Sequence, residues 1–209
     1  MIIIGSKGHA KEIFDSLEHQ DDLFFFDDVS HNVPEFLFGK KVITKIDDLL
    51  QIIEKKPHYI LGLGGPKNRF IVYTKFNGLG GELTSLLSRN ALISKHAQLG
   101  DGLNVMPFSS ISADAIVGKG CLLNSYCSVH HDSILGEFVE VAPGAKILGN
   151  CTIGSFTSIG ANATILPKIS VGSNVVIGAG AVVTKDIPDN CMVAGVPAVI
   201  KKVLKPISF

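Results

Sequence analysis

Two histidines followed by an aspartate, His130-His131-Asp132, are the residues of this chain best suited to chemistry. An imidazole titrates near neutral pH, so it can take a proton from an attacking amine or hydroxyl group. A neighbouring carboxylate can fix the tautomer of the ring and stabilise the imidazolium that forms. The segment therefore predicts a general base, although an isolated pair of this kind is more often a solvated polar turn.

Polar and glycine residues also follow three short apolar segments near the N-terminus. They are Gly5–His9, Asp27-Asp28 and Gly64-Gly65. Ligands of parallel sheets bind at the carboxyl ends of the strands, and a glycine turn that leads into a helix is suited to a pyrophosphate. The first turn lacks a full G-x-G-x-x-G pattern, which disfavours a dinucleotide cofactor.

Residues 1–88 contain the elements that would position these turns. Three buried strands are predicted at Ile2–Ile4, Leu23–Phe26 and Tyr59–Leu63, and helical spacing of apolar residues follows the first strand, covers Ile46–Ile53 and returns from Arg69. Alternation of strand, turn and helix is the pattern of a small parallel sheet. We therefore expect an α/β domain of Rossmann type over residues 1–88.

From residue 91 an aliphatic residue recurs every six positions without exception. The sixteen positions are Ile93, Leu99, Val105, Ile111, Val117, Leu123, Val129, Leu135, Val141, Ile147, Ile153, Ile159, Ile165, Val171, Ile177 and Val183. Ordinary strands would give a period of two, whereas hexapeptide repeats are typical of a parallel β-helix. Three hexads then complete one triangular coil. We predict an all-β helix over residues 91–187, followed by a C-terminal tail over 188–209.

Three features within the hexads refine this picture. Glycine follows the aliphatic residue in seven of them, where we expect it to allow a tight corner: Gly100, Gly118, Gly136, Gly154, Gly160, Gly172 and Gly178. Cys121, Cys127 and Cys151 fall at small inward positions and are interpreted as packing residues. Gly149 lies three hexads after His131, one full coil further on the same corner, so its backbone N–H is our candidate donor to an oxyanion.

Composition excludes several functional classes. The chain has 209 residues with 19 basic and 19 acidic side chains, so it lacks the basic excess expected of a nucleic-acid-binding protein. No apolar segment approaches the roughly 18–20 residues of a membrane span, and the N-terminus does not resemble a signal peptide. The four cysteines form no CxxC pair, which disfavours a zinc site. A cytoplasmic protein with free thiols is the expectation.

The segment Ser128–Gly154, SVHHDSILGEFVEVAPGAKILGNCTIG, resembles the bacterial sugar acetyltransferases. This group includes the UDP-4-amino-sugar N-acetyltransferases and the sialic-acid O-acetyltransferase-like proteins. The shared pattern is a His-Asp or His-Glu pair, an aliphatic-Gly-acidic-Phe step, Pro-Gly-Ala and a further glycine. The resemblance implies a left-handed β-helix, a homotrimer with active sites between subunits, and acetyl-CoA as co-substrate without a metal.

The same resemblance assigns roles to individual residues. It implies that His131 is the catalytic base, that Asp132 raises its basicity, and that Gly149 contributes to catalysis and to the cofactor site. In the N-terminal domain it implies a UDP-amino-sugar site, and in the last coils and the tail a CoA site. The residues implied for these two sites are Lys7, Gly8, His9, Asp27, Asp28 and Gly64 for the substrate, and Ala161 and Ala179 for CoA.

One position departs from the family pattern. Family members commonly carry a histidine nine residues after the base, where it helps to hold acetyl-CoA, and here that residue is Glu140. We carry no cofactor role over to Glu140.

Three other functions are compatible with a β-helix. O-acetylation of a sugar hydroxyl needs the same fold and the same base. A metal-dependent lyase needs three histidines that converge on one ion. The repeat region offers only His96, His130 and His131, and the adjacent His130 and His131 cannot easily share an ion. A non-enzymatic binding module would leave the His-Asp pair and the strand-end turns unexplained. N-acetylation of a UDP-linked 4-amino-sugar is therefore the predicted function, with O-acetylation as its alternative.

Overall fold

The computed structural model describes residues 1–18 and 21–208, which form a parallel sheet with helices followed by a β-helix. The N-terminal sheet has the strand order β3-β4-β2-β1-β5-β6, and β3 pairs antiparallel to β4 while the other pairs are parallel. Its elements are β1 (Ile2–Ile4), α1 (Gly8–Ser16), β2 (Phe24–Phe26), β3 (Phe36–Leu37), β4 (Lys40–Ile43), α2 (Ile46–Ile53), β5 (His58–Leu61), α3 (Pro66–Gly78) and β6 (Glu82–Leu83).

The apolar segments form the centre of this sheet because helices cover both of its faces. β1 is buried along its whole length, as is typical of a central parallel strand. A Cβ atom at Gly62 would lie 2.7 Å from the carbonyl oxygen of Ile4, so the chain after β5 must be glycine to pass this closely. The predicted α/β domain is confirmed. The sheet also contains β4, which was not predicted because Lys40 and Lys41 interrupt its apolar pattern.

The remainder of the described chain is a left-handed parallel β-helix built from two-residue strands. Each of the sixteen predicted aliphatic residues is the second residue of one of these strands, so the predicted register is confirmed. The strands are β7 (Leu86–Leu87), β8 (Leu92–Ile93), β9 (Gln98–Leu99), β10 (Asn104–Val105), β11 (Ser110–Ile111), β12 (Ile116–Val117), β13 (Leu122–Leu123), β14 (Ser128–Val129), β15 (Ile134–Leu135), β16 (Glu140–Val141), β17 (Lys146–Ile147), β18 (Thr152–Ile153), β19 (Ser158–Ile159), β20 (Thr164–Ile165), β21 (Ser170–Val171), β22 (Val176–Ile177) and β23 (Val182–Val183).

Pairing partners in the helix are three hexads apart, as in Val105 with Leu123, so three strands complete one coil. The three faces are sheets of eight, six and five strands. The eight-stranded face also contains β24 (Cys191–Ala194) and β25 (Val199–Val203), which pairs antiparallel to β24 and ends the helix. From Leu103 onwards the inward aliphatic and small side chains form one continuous buried core.

The glycines that follow the aliphatic residues have a different purpose from the one expected. None of the seven lies in the left-handed backbone region, whereas the turn residue two positions later often does, as at Gly120 with φ of +69°. A Cβ atom at Gly118 would instead lie 2.6 Å from the carbonyl group of Gly136 in the next coil. Glycine is needed there because successive coils approach too closely for a side chain.

The N-terminal sheet packs on the eight-stranded face of the helix. Leu86, Met106 and Leu122 on that face belong to the same buried cluster as Ile3 and Ile13 of the N-terminal sheet and α1. The two parts of the chain therefore share a hydrophobic core, which fixes the strand-end turns relative to the coils.

Candidate active site

The predicted base and its carboxylate are in direct contact on one edge of the prism. Nδ1 of His131 lies 2.7 Å from Oδ2 of Asp132, and both side chains are more than half exposed. Asp132 occupies the turn position with φ of +58°, a region that aspartate tolerates better than most residues. Because Nδ1 faces the carboxylate, Nε2 is the ring nitrogen that remains available to a substrate.

Gly149 lies beneath this imidazole ring. A Cβ atom built on Gly149 would lie 2.6 Å from Nε2 and 2.5 Å from Cε1 of His131, so the ring lies against the glycine backbone. Within the described ranges, no acceptor takes the Gly149 backbone N–H, whereas its carbonyl oxygen accepts a hydrogen bond from the N–H of Lys168. A free donor thus lies beside the free ring nitrogen, as the spacing of one full coil predicts.

A cavity of about 590 Å³ lies at the carboxyl ends of β1, β2 and β5. It brings together five of the six residues predicted to bind the substrate: Lys7, His9, Asp27, Asp28 and Gly64. Gly8, the first residue of α1, does not line it. The cavity is also lined by residues of α3 that the sequence analysis did not single out, namely Asn68, Ile71, Val72 and Lys75.

The two aspartates after β2 have different environments. The Asp27 carboxylate accepts hydrogen bonds from the Ser6 hydroxyl and from the backbone N–H groups of Val29 and Ser30. Burial alone would raise the pKa of Asp27, but these donors lower it below its ordinary value. Asp28 pairs with Lys75, whose Nζ lies 2.6 Å from Oδ2. Asp27 therefore stabilises the turn, and Asp28 with Lys75 presents a charged pair to the cavity.

His9 joins the cavity to the β-helix. Its Nε2 accepts a hydrogen bond from Nδ2 of Asn104, at 3.1 Å, and its Nδ1 lies 3.3 Å from a carboxylate oxygen of Glu12. The same Asn104 amide donates to the carbonyl oxygen of Leu61 at 2.7 Å. Burial and the nearby Arg69 charge lower the pKa of His9, so the ring is neutral at neutral pH.

Glu140 contacts the other end of the same junction. Its carboxylate accepts the backbone N–H of Gly65 at 2.6 Å, at the N-terminus of α3. Arg69, four residues after Gly65, is fully buried. Its guanidinium group donates to the carbonyl oxygens of Leu61, Leu63 and Gly120. Burial lowers the pKa of Arg69 to about 10, while the charge of Glu140 opposes that shift. Glu140 occupies the position at which family members commonly carry a histidine. In this chain it forms a contact between the two domains.

Ala161 and Ala179 stack on a different edge from His131 and Gly149. The N–H of Gly180 donates to the carbonyl oxygen of Ala161, which places the two alanines in successive coils of one corner. The corner of His131 follows the six-stranded face, whereas the corner of Ala161 follows the eight-stranded face. A whole side of the triangular coil separates these corners, so one chain does not bring the two pairs together.

Arg69 and Asn104 were missed by the sequence analysis. Asn104 precedes the inward-facing Val105, and a residue at that position normally faces outward. Asn104 is nevertheless fully buried because the N-terminal sheet covers it. A polar residue at a covered outward position and a single arginine in a helix have no distinctive spacing.

Within residues 1–18 and 21–208, no group of three His, Cys, Asp or Glu side chains is arranged to hold a metal, and no helix is long and apolar enough to cross a membrane.

Two family models match separate parts of the chain. The model described as the PglD N-terminal domain matches residues 1–76, and the model described as the bacterial transferase hexapeptide (six repeats) matches residues 150–185. A comparison with the curated proteins finds no match.

Solved structures similar to this chain cover nearly its whole length. The acetyltransferase domain of PglB from Neisseria gonorrhoeae FA1090, in complex with acetyl coenzyme A, is 32% identical, with a TM-score of 0.86 over 95% of this chain and 97% of that one. Perosamine N-acetyltransferase from Caulobacter crescentus, a histidine variant in complex with CoA and GDP-perosamine, is 27% identical, with a TM-score of 0.90 over 96% of both chains. WeeI from Acinetobacter baumannii AYE is 27% identical, with a TM-score of 0.87 over 95% and 98%.

Proposed function

The chain belongs to the hexapeptide-repeat acetyltransferases of the left-handed β-helix superfamily with a PglD-type N-terminal domain, and we propose that it acetylates the 4-amino group of a UDP-linked sugar. Transfer of an acetyl group from acetyl-CoA to an amino sugar follows from that membership. The identity of the nucleotide, the position of the amine and the role of each residue are the proposal.

In the proposed reaction, His131 is the general base. The sugar amine attacks the thioester carbonyl, a C–N bond forms, and the C–S bond then breaks to release CoA. The proton lost by the amine passes to Nε2 of His131, while the Asp132 carboxylate holds the proton on Nδ1 and stabilises the imidazolium. The observation that carries this proposal is the 2.7 Å contact between His131 and Asp132, which leaves Nε2 free beside Gly149.

The Gly149 backbone N–H is proposed to bind the oxyanion of the tetrahedral intermediate. A preorganised donor of this kind lowers the barrier because it is already oriented when the charge develops. The position of Gly149 against the His131 ring supports this role, since the base and the donor must both reach the same reacting centre.

The cavity at the strand ends is the proposed nucleotide-sugar site. The turn Gly5–His9 leads into α1 and is suited to the pyrophosphate, with Lys7 lining the same cavity. The pair of Asp28 and Lys75 offers both an acceptor and a donor, which suits the ribose or the edge of a base. Perosamine N-acetyltransferase from Caulobacter crescentus is in complex with GDP-perosamine, so a GDP-linked acceptor is the alternative to the UDP-linked one.

A homotrimer with shared active sites is part of the proposal. The edge that carries Ala161 and Ala179, proposed to contact CoA, is separate from the edge of His131. A second copy of the chain is therefore needed to bring the two edges around one CoA molecule. The Ala161 edge also carries Phe108 and Tyr126, two exposed and stacked aromatic rings suited to such a contact.

The free thiols fit the cytoplasmic location that we also propose.

The substrate is tested by incubating the protein with acetyl-CoA and four acceptors. These are UDP- and GDP-linked 4-amino-sugars and the corresponding 4-hydroxy sugars, and the acetylated product is measured by mass spectrometry. We expect acetylation of the UDP-linked amine. Acetylation of the GDP-linked amine alone would contradict the nucleotide assignment, and acetylation of a hydroxyl acceptor alone would replace N-acetylation by O-acetylation.

A further inference from the structure

The carbonyl oxygen of Leu148 accepts a hydrogen bond from a buried side chain directly beneath the active site. Oγ of Ser133 lies 2.9 Å from this oxygen, and Ser133 is completely buried. The same hydroxyl oxygen accepts the backbone N–H of Cys151 at 3.2 Å. Because its single proton is donated to Leu148, the hydroxyl has one defined orientation.

This hydrogen bond acts on the peptide unit that carries the proposed oxyanion donor. The carbonyl of Leu148 and the N–H of Gly149 belong to one planar trans peptide, so they point in opposite directions. A carbonyl held towards the buried Ser133 directs the N–H outwards, away from the core. A hydrogen bond at the carbonyl oxygen also polarises the peptide and strengthens its N–H as a donor.

The same bond pattern recurs in other coils of the helix. Oγ1 of Thr157 donates to the carbonyl oxygen of Gly172 at 2.8 Å and accepts the N–H of Val175 at 3.1 Å. Cys121 and Cys151 donate in the same way to the carbonyl oxygens of Gly136 and Leu166, both at 3.1 Å. The pattern therefore occurs at several positions in this helix, and a thiol can take the place of the hydroxyl.

Resting on the proposed function, we propose that Ser133 is a positioning residue for the acetyl transfer, acting through the Leu148–Gly149 peptide. At Thr157 the corresponding peptide carries the N–H of Ser173, on a different corner of the prism. The two sites share their hydrogen bonds and their burial, but only the peptide next to Ser133 lies against the His131 ring. Removing the two hydroxyl groups should thus have similar effects on folding and different effects on catalysis.

The test compares Ser133→Ala with Thr157→Val, each of which removes a hydroxyl group with little change in shape. We expect Ser133→Ala to lower kcat about five- to tenfold, since one hydrogen bond is worth about that factor. The KM values for acetyl-CoA and the nucleotide-sugar should stay within about twofold, because the oxyanion exists only after attack. Thr157→Val should leave kcat near the wild-type value, even if its melting temperature falls as much.

A third variant tests the hydrogen bond itself and keeps the inference testable if Ser133→Ala does not fold. A thiol is a weaker hydrogen-bond donor than a hydroxyl, so Ser133→Cys keeps the bond, as Cys121 and Cys151 show, but weakens it, and its kcat should lie between those of the wild type and Ser133→Ala. If Ser133→Ala does not fold, a kcat of Ser133→Cys that equals the wild-type value would overturn the inference.

Two other results would also overturn it: an unchanged kcat in folded Ser133→Ala, or an equal loss of kcat in Thr157→Val. These results differ from a failure of the proposed function, in which the wild-type protein itself would acetylate none of the amino-sugar acceptors.

Discussion

At the scale of single residues, the environment determines which of several similar groups can act. His130 and His131 are adjacent, yet it is His131 whose Nδ1 meets Asp132 and whose ring covers Gly149. Asp27 and Asp28 are adjacent as well, but the Asp27 carboxylate is already hydrogen-bonded within its own turn. Residue type and spacing predict which residues are candidates for the site, whereas these differences between neighbours depend on contacts between distant residues.

The burial of His9 predicts a specific dependence of stability on pH. Its pKa is lowered from the usual value near 6.5 by burial and by the Arg69 charge. The unfolded chain therefore binds a proton at pH values where the folded chain does not. The contribution of His9 to the free energy of unfolding is present above pH 6.5 and is lost as the pH falls towards the lowered pKa.

Melting temperatures of the wild type and of His9→Asn between pH 5 and pH 8 test this. We expect the wild type to lose more stability than His9→Asn as the pH falls below about 6.5. His31→Asn, at an exposed loop position, is the control and should keep the wild-type profile. Identical profiles for the wild type and His9→Asn would contradict the account of His9.

At the scale of secondary-structure elements, a simple repeat determines most of the architecture. The six-residue register was predictable because every inward position stacks on an equivalent residue three hexads away. The turn positions were less predictable. Phe138 and Phe156 adopt φ of +51° and +61°, which aromatic residues seldom do. Their rings stack 5.9 Å apart beneath the N-terminal domain, so contacts outside the repeat compensate for an unfavourable local conformation.

Close approach of successive coils predicts that Gly118 does not tolerate a side chain. A Cβ atom there would lie within 3 Å of three backbone atoms of the next coil. We expect Gly118→Ala to destabilise the fold by about 1–3 kcal/mol, since a backbone neighbour cannot rotate away. Thermal or denaturant unfolding measures the loss.

A second glycine provides the matched control. Gly180 has φ of +67° with open space around its Cα, and Asn162 occupies the equivalent turn one coil earlier. Gly180→Asn should therefore change the free energy of unfolding by no more than about 0.5 kcal/mol. Equal stability of the two variants would show that coil spacing does not explain the glycines.

At the scale of the whole molecule, polar contacts fix the cavity at the strand ends relative to the β-helix. Asn104 contacts Leu61 and His9, Arg69 contacts Gly120, and Glu140 contacts Gly65. None of these contacts was predictable from the sequence, since each joins residues far apart in the chain and depends on how the two domains pack. They connect the turns that line the cavity to the prism that carries His131.

The separation of the two edges predicts the oligomeric state. If CoA lies between the His131 edge of one copy and the Ala161 edge of another, the active protein must be an oligomer, and three copies close such a contact in a ring. Sedimentation equilibrium should give three times the mass of the chain. A fully active monomer would contradict the proposed location of CoA.

The central claim is that His131 accepts the proton of the attacking amine, and the most direct measurement is the rate of acetyl transfer by His131→Ala. Loss of a general base typically lowers the rate by about 10² to 10⁴. We expect a fall in kcat of that size, with the wild-type melting temperature retained and with His130→Ala close to the wild type. A folded His131→Ala variant that transfers acetyl groups at nearly the wild-type rate would contradict the account.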